Sequence, residues 1–139
     1  MCWISTNKPI LRVADRDISV QKVVTKVDQD EFLHSPIMFG FIWELGKTYT
    51  ITLAEPKPSR DWFYINEGFH TAKNIEESID PDIGEYNIYI TNCNGVRVNL
   101  FCRNKGDIIV NAIIPKGTKY YVNDRYEYVS EALKLTDIV

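Results

Sequence analysis

At 139 residues, 45% hydrophobic and 25% charged, the chain has the composition of an ordinary folded domain, which excludes intrinsic disorder. Its net charge of −3, from 16 basic and 19 acidic side chains with no basic run, argues against a generic nucleic-acid binder, whose affinity rests on clustered Lys and Arg neutralising phosphates. No apolar stretch approaches membrane-spanning length, and no paired spacing of His or Cys offers a zinc site, so neither a membrane nor a metal is expected.

A chain of this size buries about two thirds of its unfolded surface, enough for one self-sufficient core, and a single domain over 1–139 is expected. Three cysteines (Cys2, Cys93 and Cys102) are few and odd in number. Together with the absence of an apolar leader they point to a reducing cytoplasmic compartment. Glu76, Glu77, Asp80, Asp82 and Glu85 form an acidic block with no Lys or Arg among them. Such a block reads as a solvated face.

In chain order, MCWIS (1–5) raises a first possibility. Removal of Met1 would expose Cys2 as a nucleophile with its own amine as base. Some amidotransferases begin in this way, but no Arg, Asn or Gly cluster follows in their pattern. DISVQKVVTKV (17–27) is rich in β-branched residues and predicts a strand. FGFIWELGKTYTITL (39–53) predicts two strands around Gly46. Pro56, Pro58 and Ser59 mark a surface loop. RDWFYINEG (60–68) is aromatic and extended.

Gly68 lets the chain turn sharply, and Phe69 offers a core anchor. AKNIEESID (72–80) then predicts the one helix. Thr71 stands at the N-cap, Ile75 and Ile79 keep a helical spacing, and Pro81 follows as a stop.

EYNIYITN and GVRVNLFC alternate, so Ile88 and Ile90 share a face, as do Val96, Val98 and Leu100. A two-residue Asn94-Gly95 turn would split those apolar sets. A three-residue loop, Cys93-Asn94-Gly95, instead pairs Ile90 with Val98 and Ile88 with Leu100, with Gly95 left-handed. It also sets Glu85 opposite Arg103. The same device at Asn104-Lys105-Gly106 would bring DIIVNAII alongside as the third strand of an antiparallel meander over 85–114. That strand is apolar on both faces, so it should be central and doubly covered. IPKGTKYYV turns at Pro115 to Gly117 into a short strand, and 126–139 carries a last extended segment. The fold class expected is α+β: a β-rich, mainly antiparallel sheet with a short helix.

Candidate sites are few. His70 would lie beside the helix N-terminus, where the dipole favours a neutral imidazole able to act as base or electrophile. It has no neighbouring nucleophile motif, so a structural role is expected. The stretch from Asp80 to Glu85 fails the EF-hand pattern, with Glu85 where Gly is needed and Thr91 where Glu is needed. PKGTK has the wrong spacing for a phosphate loop. Trp62, Phe63, Tyr64, Tyr120, Tyr121, Tyr126 and Tyr128 remain. Neighbouring aromatics in a strand face opposite sides, so one of each pair can stand exposed for recognition, but the reading preferred is that they cover a small core. Trp62, Tyr64 and Tyr121 are the binding candidates.

ELGKTY (44–49), EGFHTAKNIEES (67–78), IIPKGTKYYV (113–122) and the closing YVSEALKLTDIV together resemble small uncharacterised proteins of gut Bacteroidetes and their phages. That resemblance implies a source and no established activity. The late I-P-x-G followed by a Glu-bearing strand is also similar to short ADP-ribosyltransferase domains. This second resemblance implies Glu131 as catalytic acid, with His70 or Thr71 in a nicotinamide pocket and NAD as cofactor. The early Arg or His and the Ser-x-Ser of that family have no counterpart here.

The function expected is therefore a small non-catalytic binding or accessory domain with no cofactor. Its partner would be a protein or a further copy of the chain, not nucleic acid or a membrane. The alternative is an NAD-using transferase with His70 and Glu131 in one cleft.

Overall fold

The computed structural model describes residues 3–26, 33–34, 42–79, 86–102 and 107–139. Its strands, in chain order, are β1 (Trp3–Ser5), β2 (Arg12–Val13), β3 (Ile18–Lys26), β4 (Leu33–His34), β5 (Ile42–Trp43), β6 (Thr48–Thr50), β7 (Lys57–Pro58) and β8 (Phe63–Ile65). They continue with β9 (Phe69–Ala72), β10 (Ile75–Ile79), β11 (Tyr86–Thr91), β12 (Arg97–Cys102), β13 (Asp107–Ile114), β14 (Lys119–Val122), β15 (Glu127–Ser130) and β16 (Ala132–Ile138).

A ten-stranded antiparallel sheet runs β2-β14-β15-β9-β3-β13-β16-β6, with β4 and β5 joined beside β3. Two three-stranded sheets, β1-β8-β7 and β10-β11-β12, accompany it.

The long sheet is organised by β3 and β13, which pair along eight residues from Asp107↔Thr25 to Ile114↔Ile18. Alternation sends Val20, Val24, Val110, Ala112 and Ile114 to one face, where they meet Leu33, Trp43, Phe69, Leu133 and Leu135. The opposite face carries Val23, which packs with Ala72, Ile75, Ile88 and Ile90 of the smaller sheet. Further along that face, Val129 packs with Trp3, Ile65 and Tyr121. Each fully buried Leu or Ile contributes about 1.5–3 kcal/mol through removal of its surface from water. β13 lies between β3 and β16, the interior position its composition predicts; the face of Val110, Ala112 and Ile114 is buried, whereas Ile109, Asn111 and Ile113 on the other are half-buried.

The fold class differs from the expected α+β. Among the described residues the protein is all-β, with no helix. The predicted helix over 72–80 is the end of β9 followed by β10. β10 pairs with β11 from Ile75↔Ile90 to Ile79↔Tyr86.

A nine-residue helix is marginal by itself. As a strand, the same segment buries Ile75 against Ile88 and Ile90 and leaves Glu76 free to reach Arg97 at 3.3 Å. The Gln21 side chain also accepts the Ile75 N–H at 2.7 Å. Thr71 caps nothing: it is fully buried inside β9, opposite Tyr128, and its hydroxyl has no partner.

The meander is corrected too. Its members are β10, β11 and β12, and among the described residues β12 pairs only with β11. The 93–95 loop forms as predicted, with Gly95 at φ 77° and Asn92 bonded to Val96 across it. Ile90 faces Val98, but a bulge between Ile88 and Tyr89 puts Ile88 opposite Phe101 instead of Leu100. The Glu85–Arg103 pair, the 104–106 turn, Pro81 and Cys2 lie outside the described residues.

Gly68 stands where the backbone of β15 passes. Its φ is 142°, and a Cβ there would lie 2.4 Å from Val129 Cγ2 and 3.0 Å from Leu53 Cδ1. No other residue fits this joint.

Candidate functional site

His70 follows Gly68 on β9 and faces Val129 across the pair with β15. Its backbone carbonyl accepts a hydrogen bond from Lys22 Nζ at 3.0 Å. Lys22 belongs to β3 between Val20 and Val24, so alternation drives it into the main core, where it is 8% exposed. Its ammonium stands 5.8 Å from the Trp43 ring centroid, and Trp43 in turn packs on Phe69 at 5.1 Å.

Burial pulls the Lys22 amine down to about 8. Burial, and then the Lys22 charge, pull His70 down to about 4, while a bond between the ring and the Asn66 backbone works the other way. His70 is therefore neutral at physiological pH, and its Nδ1 is buried without a partner. The neutral imidazole expected from a helix dipole is present, but desolvation is its cause.

Glu131 sits at the kink between β15 and β16. Its carboxylate accepts the Lys119 N–H at 3.0 Å, and its backbone bonds to Lys119 and Ile51. Among the described residues no interaction joins Glu131 to His70. Glu131 is half-buried, whereas another acid of the same hairpin, with no signal in the sequence, is buried. Glu127, 1% exposed, holds Asn123 through Oε1 at 3.2 Å and Arg125 at 3.5 Å, while Oε2 has no partner. Burial pushes its carboxyl above the usual range. Asn123 also bonds the Ile4 carbonyl, and Trp3 Nε1 bonds the Glu127 carbonyl. This network fastens β1 to the β14–β15 hairpin. Among the described residues no three potential ligands gather for a metal.

The three aromatic candidates are dispersed. Trp62 is exposed, at the turn between β7 and β8. Tyr64 is half-buried on β8, opposite both Ile4 and Lys57. Tyr121 is a core residue, packed on Trp3 at 6.3 Å.

Its neighbour Tyr120 takes the other face. Register sets Tyr120 opposite Ser130 and Val122 opposite Tyr128, so Tyr120 and Tyr128 are diagonal neighbours with ring centroids 5.8 Å apart. Arg12 on β2 lies directly opposite Tyr120. At the hairpin tip Tyr126 is held at φ 55°, a left-handed conformation that costs a tyrosine about 1–2 kcal/mol. Lys73 Nζ covers its ring at 4.7 Å.

Arg12, Tyr120, Tyr128, Tyr126 and Lys73 thus form a row across β2, β14, β15 and the end of β9. The tyrosines are half-buried and the cations exposed. Burial, then the neighbouring Tyr120 and Tyr126, push the Tyr128 phenol up, while Arg12 opposes this. The Tyr128 phenol is therefore a neutral donor at physiological pH. Among the described residues no hydroxyl of the row has a protein partner, and neither cation has a carboxylate. Ile10, Leu11 and Val13, exposed by 74%, 48% and 58%, border the row along β2, the outermost strand of the sheet.

Compared with protein-family models, curated proteins and solved structures, the chain matches none of them.

Proposed function

We propose that the protein is a small non-catalytic binding domain whose tyrosine row receives a segment of a protein partner. The observation that carries this reading is the row itself: three tyrosyl hydroxyls with no protein partner and two exposed cations with no carboxylate among the described residues, beside an exposed apolar edge. Tyrosine supplies a large, rigid, amphipathic surface at low entropic cost, and Tyr and Arg are the residue types that dominate binding energy at interfaces. The left-handed backbone at Tyr126 supports the same reading, because Gly or Asn would fill that turn position with less strain. The exposed free thiol of Cys93 suits a reducing cytoplasm.

A displayed random-peptide library panned on the immobilised protein tests the proposal. Enriched peptides are expected to bind the wild type and to lose at least tenfold in affinity on Tyr120→Ala, with the circular-dichroism spectrum unchanged. Failure to enrich any sequence, or binding that ignores Tyr120→Ala, would reject the row as a recognition surface.

A further inference from the structure

We infer that the occupant of the row is an extended acidic peptide carrying two negative side chains about six residues apart, one for Arg12 and one for Lys73. This inference rests on the reading above and narrows it to a partner chemistry.

The geometry of the ends is the starting point. Arg12 belongs to β2, Tyr120 to β14 and Tyr128 to β15, while Lys73 follows the last residue of β9; these strands are consecutive neighbours. The row runs diagonally: Arg12, Tyr120, Ser130 and Phe69 lie abreast, about 14 Å across the strands, and Lys73 stands a further distance of about 13 Å, or about four residues, along the strand direction. The two cations are therefore roughly 19 Å apart, which an extended chain covers in about six residues at about 3.3 Å each. A peptide laid along the diagonal presents its residues i and i+6 to the two cations.

Charge decides the sign. Both cations stand free of carboxylates among the described residues, and the three phenols between them are donors that can meet backbone carbonyls. Lys73 is already fixed over the Tyr126 ring at 4.7 Å, so less side-chain freedom is lost when an anion arrives. The middle of the row is aromatic: the Tyr120 and Tyr128 rings lie 5.8 Å apart and tilted by 39°. It favours flat or branched apolar side chains at the positions between the two acids.

Single-stranded nucleic acid, the other ligand that stacks on aromatics, fits poorly. It carries a phosphate on every nucleotide and needs a continuous basic groove, whereas the row has two cations on a chain of net charge −3.

Fluorescence anisotropy with labelled synthetic peptides tests this. The probe is an N-acetylated, C-amidated decapeptide with two glutamates at i and i+6 flanking Ile-Tyr-Ile-Tyr-Ile. It is expected to bind at least fivefold tighter than its double-glutamine analogue, and than a peptide with its glutamates adjacent. Raising NaCl from 50 to 500 mM should weaken it by about tenfold. Arg12→Ala and Lys73→Ala should each cost about three- to tenfold; both side chains are exposed, so folding is unaffected. Equal binding of the glutamine analogue would overturn the inference while leaving the row a peptide site. A thymidine oligonucleotide binding more tightly than the diacidic peptide would overturn it in favour of nucleic acid. Self-association abolished by Arg12→Ala, seen in sedimentation velocity at 100 µM, would make a second copy the occupant and overturn it as well.

Discussion

Two regions of the sheet hold polar groups without partners, and they treat them in opposite ways. Around β3, β9 and the start of β15, Lys22, His70 and Glu127 are enclosed, and desolvation drives each toward its neutral form. Along β14 and β15, at the margin of the main core against which Tyr128 packs, Tyr120, Tyr126 and Tyr128 are half-buried and Arg12 and Lys73 exposed. An unpartnered group in the interior is a cost carried by the fold. The same group at the surface costs nothing until a partner arrives, when it becomes binding energy. The interior should therefore answer to substitution in stability, and the row in affinity.

The largest effect sharpens the interior side. Gly68→Ala forces a methyl into Val129 at a backbone angle foreign to L-residues, and should cost about 4 kcal/mol in urea unfolding. An outcome within 1 kcal/mol of wild type would show that the joint relaxes.

His70 comes next, through pH. Its folded value of about 4 lies below the unfolded 6.5, so between the two the unfolded chain binds a proton that the native one does not. Stability is complete above 6.5 and is lost as pH falls toward 4, by about 3 kcal/mol. Measured as a difference from His70→Gln, which cancels the opposite contribution of Glu127, the unfolding free energy should decline by that amount from pH 7 to 4. A flat difference would mean that the imidazole is solvated.

Lys22→Met offers a gain. Holding a charged amine whose folded value is about 8 against 10.5 costs about 3 kcal/mol at neutral pH, while the lost bond to the His70 carbonyl takes back about 1–2 kcal/mol. The variant should unfold about 1–2 kcal/mol later at pH 7. The gain should shrink between pH 8 and 10.5, where the wild-type amine is neutral in the native state alone.

In the row, Tyr126→Gly should leave stability level or raise it by about 1 kcal/mol through relief of the left-handed backbone, while peptide affinity drops. The smallest effect closes the series. Tyr120→Phe removes a hydroxyl that bonds nothing among the described residues, so its unfolding free energy should stay within about 0.5 kcal/mol of wild type. A larger loss would move that hydroxyl, and the row with it, into the structural class.

Much of the fold was legible locally. β3 followed from its β-branched run, the 93–95 loop from Gly95 and the need to keep Ile90 beside Val98, and the centrality of β13 from apolar residues at both parities. Of the site, the alternation of Tyr120 and Tyr121 said that one would face outward without saying which. Neither Lys22, inside a β-branched run, nor Glu127 gave any signal. Periodicity cannot tell whether a lone polar residue lies on the covered face of a strand until its neighbours in the sheet are known.

Composition and short-range pattern thus settled that the chain would fold into antiparallel strands with glycine-bearing turns, because those preferences depend on a few adjacent residues. Tertiary structure alone decided that AKNIEES would be a strand, since β11 and the core behind it outweigh the weak helix that nine residues can form. It also decided that β13 would join β3 rather than β12, through partners some ninety positions apart, as in Val110↔Lys22. The tyrosine row is a product of that same long-range pairing, for its members come from separate strands and share a face only once the sheet has closed.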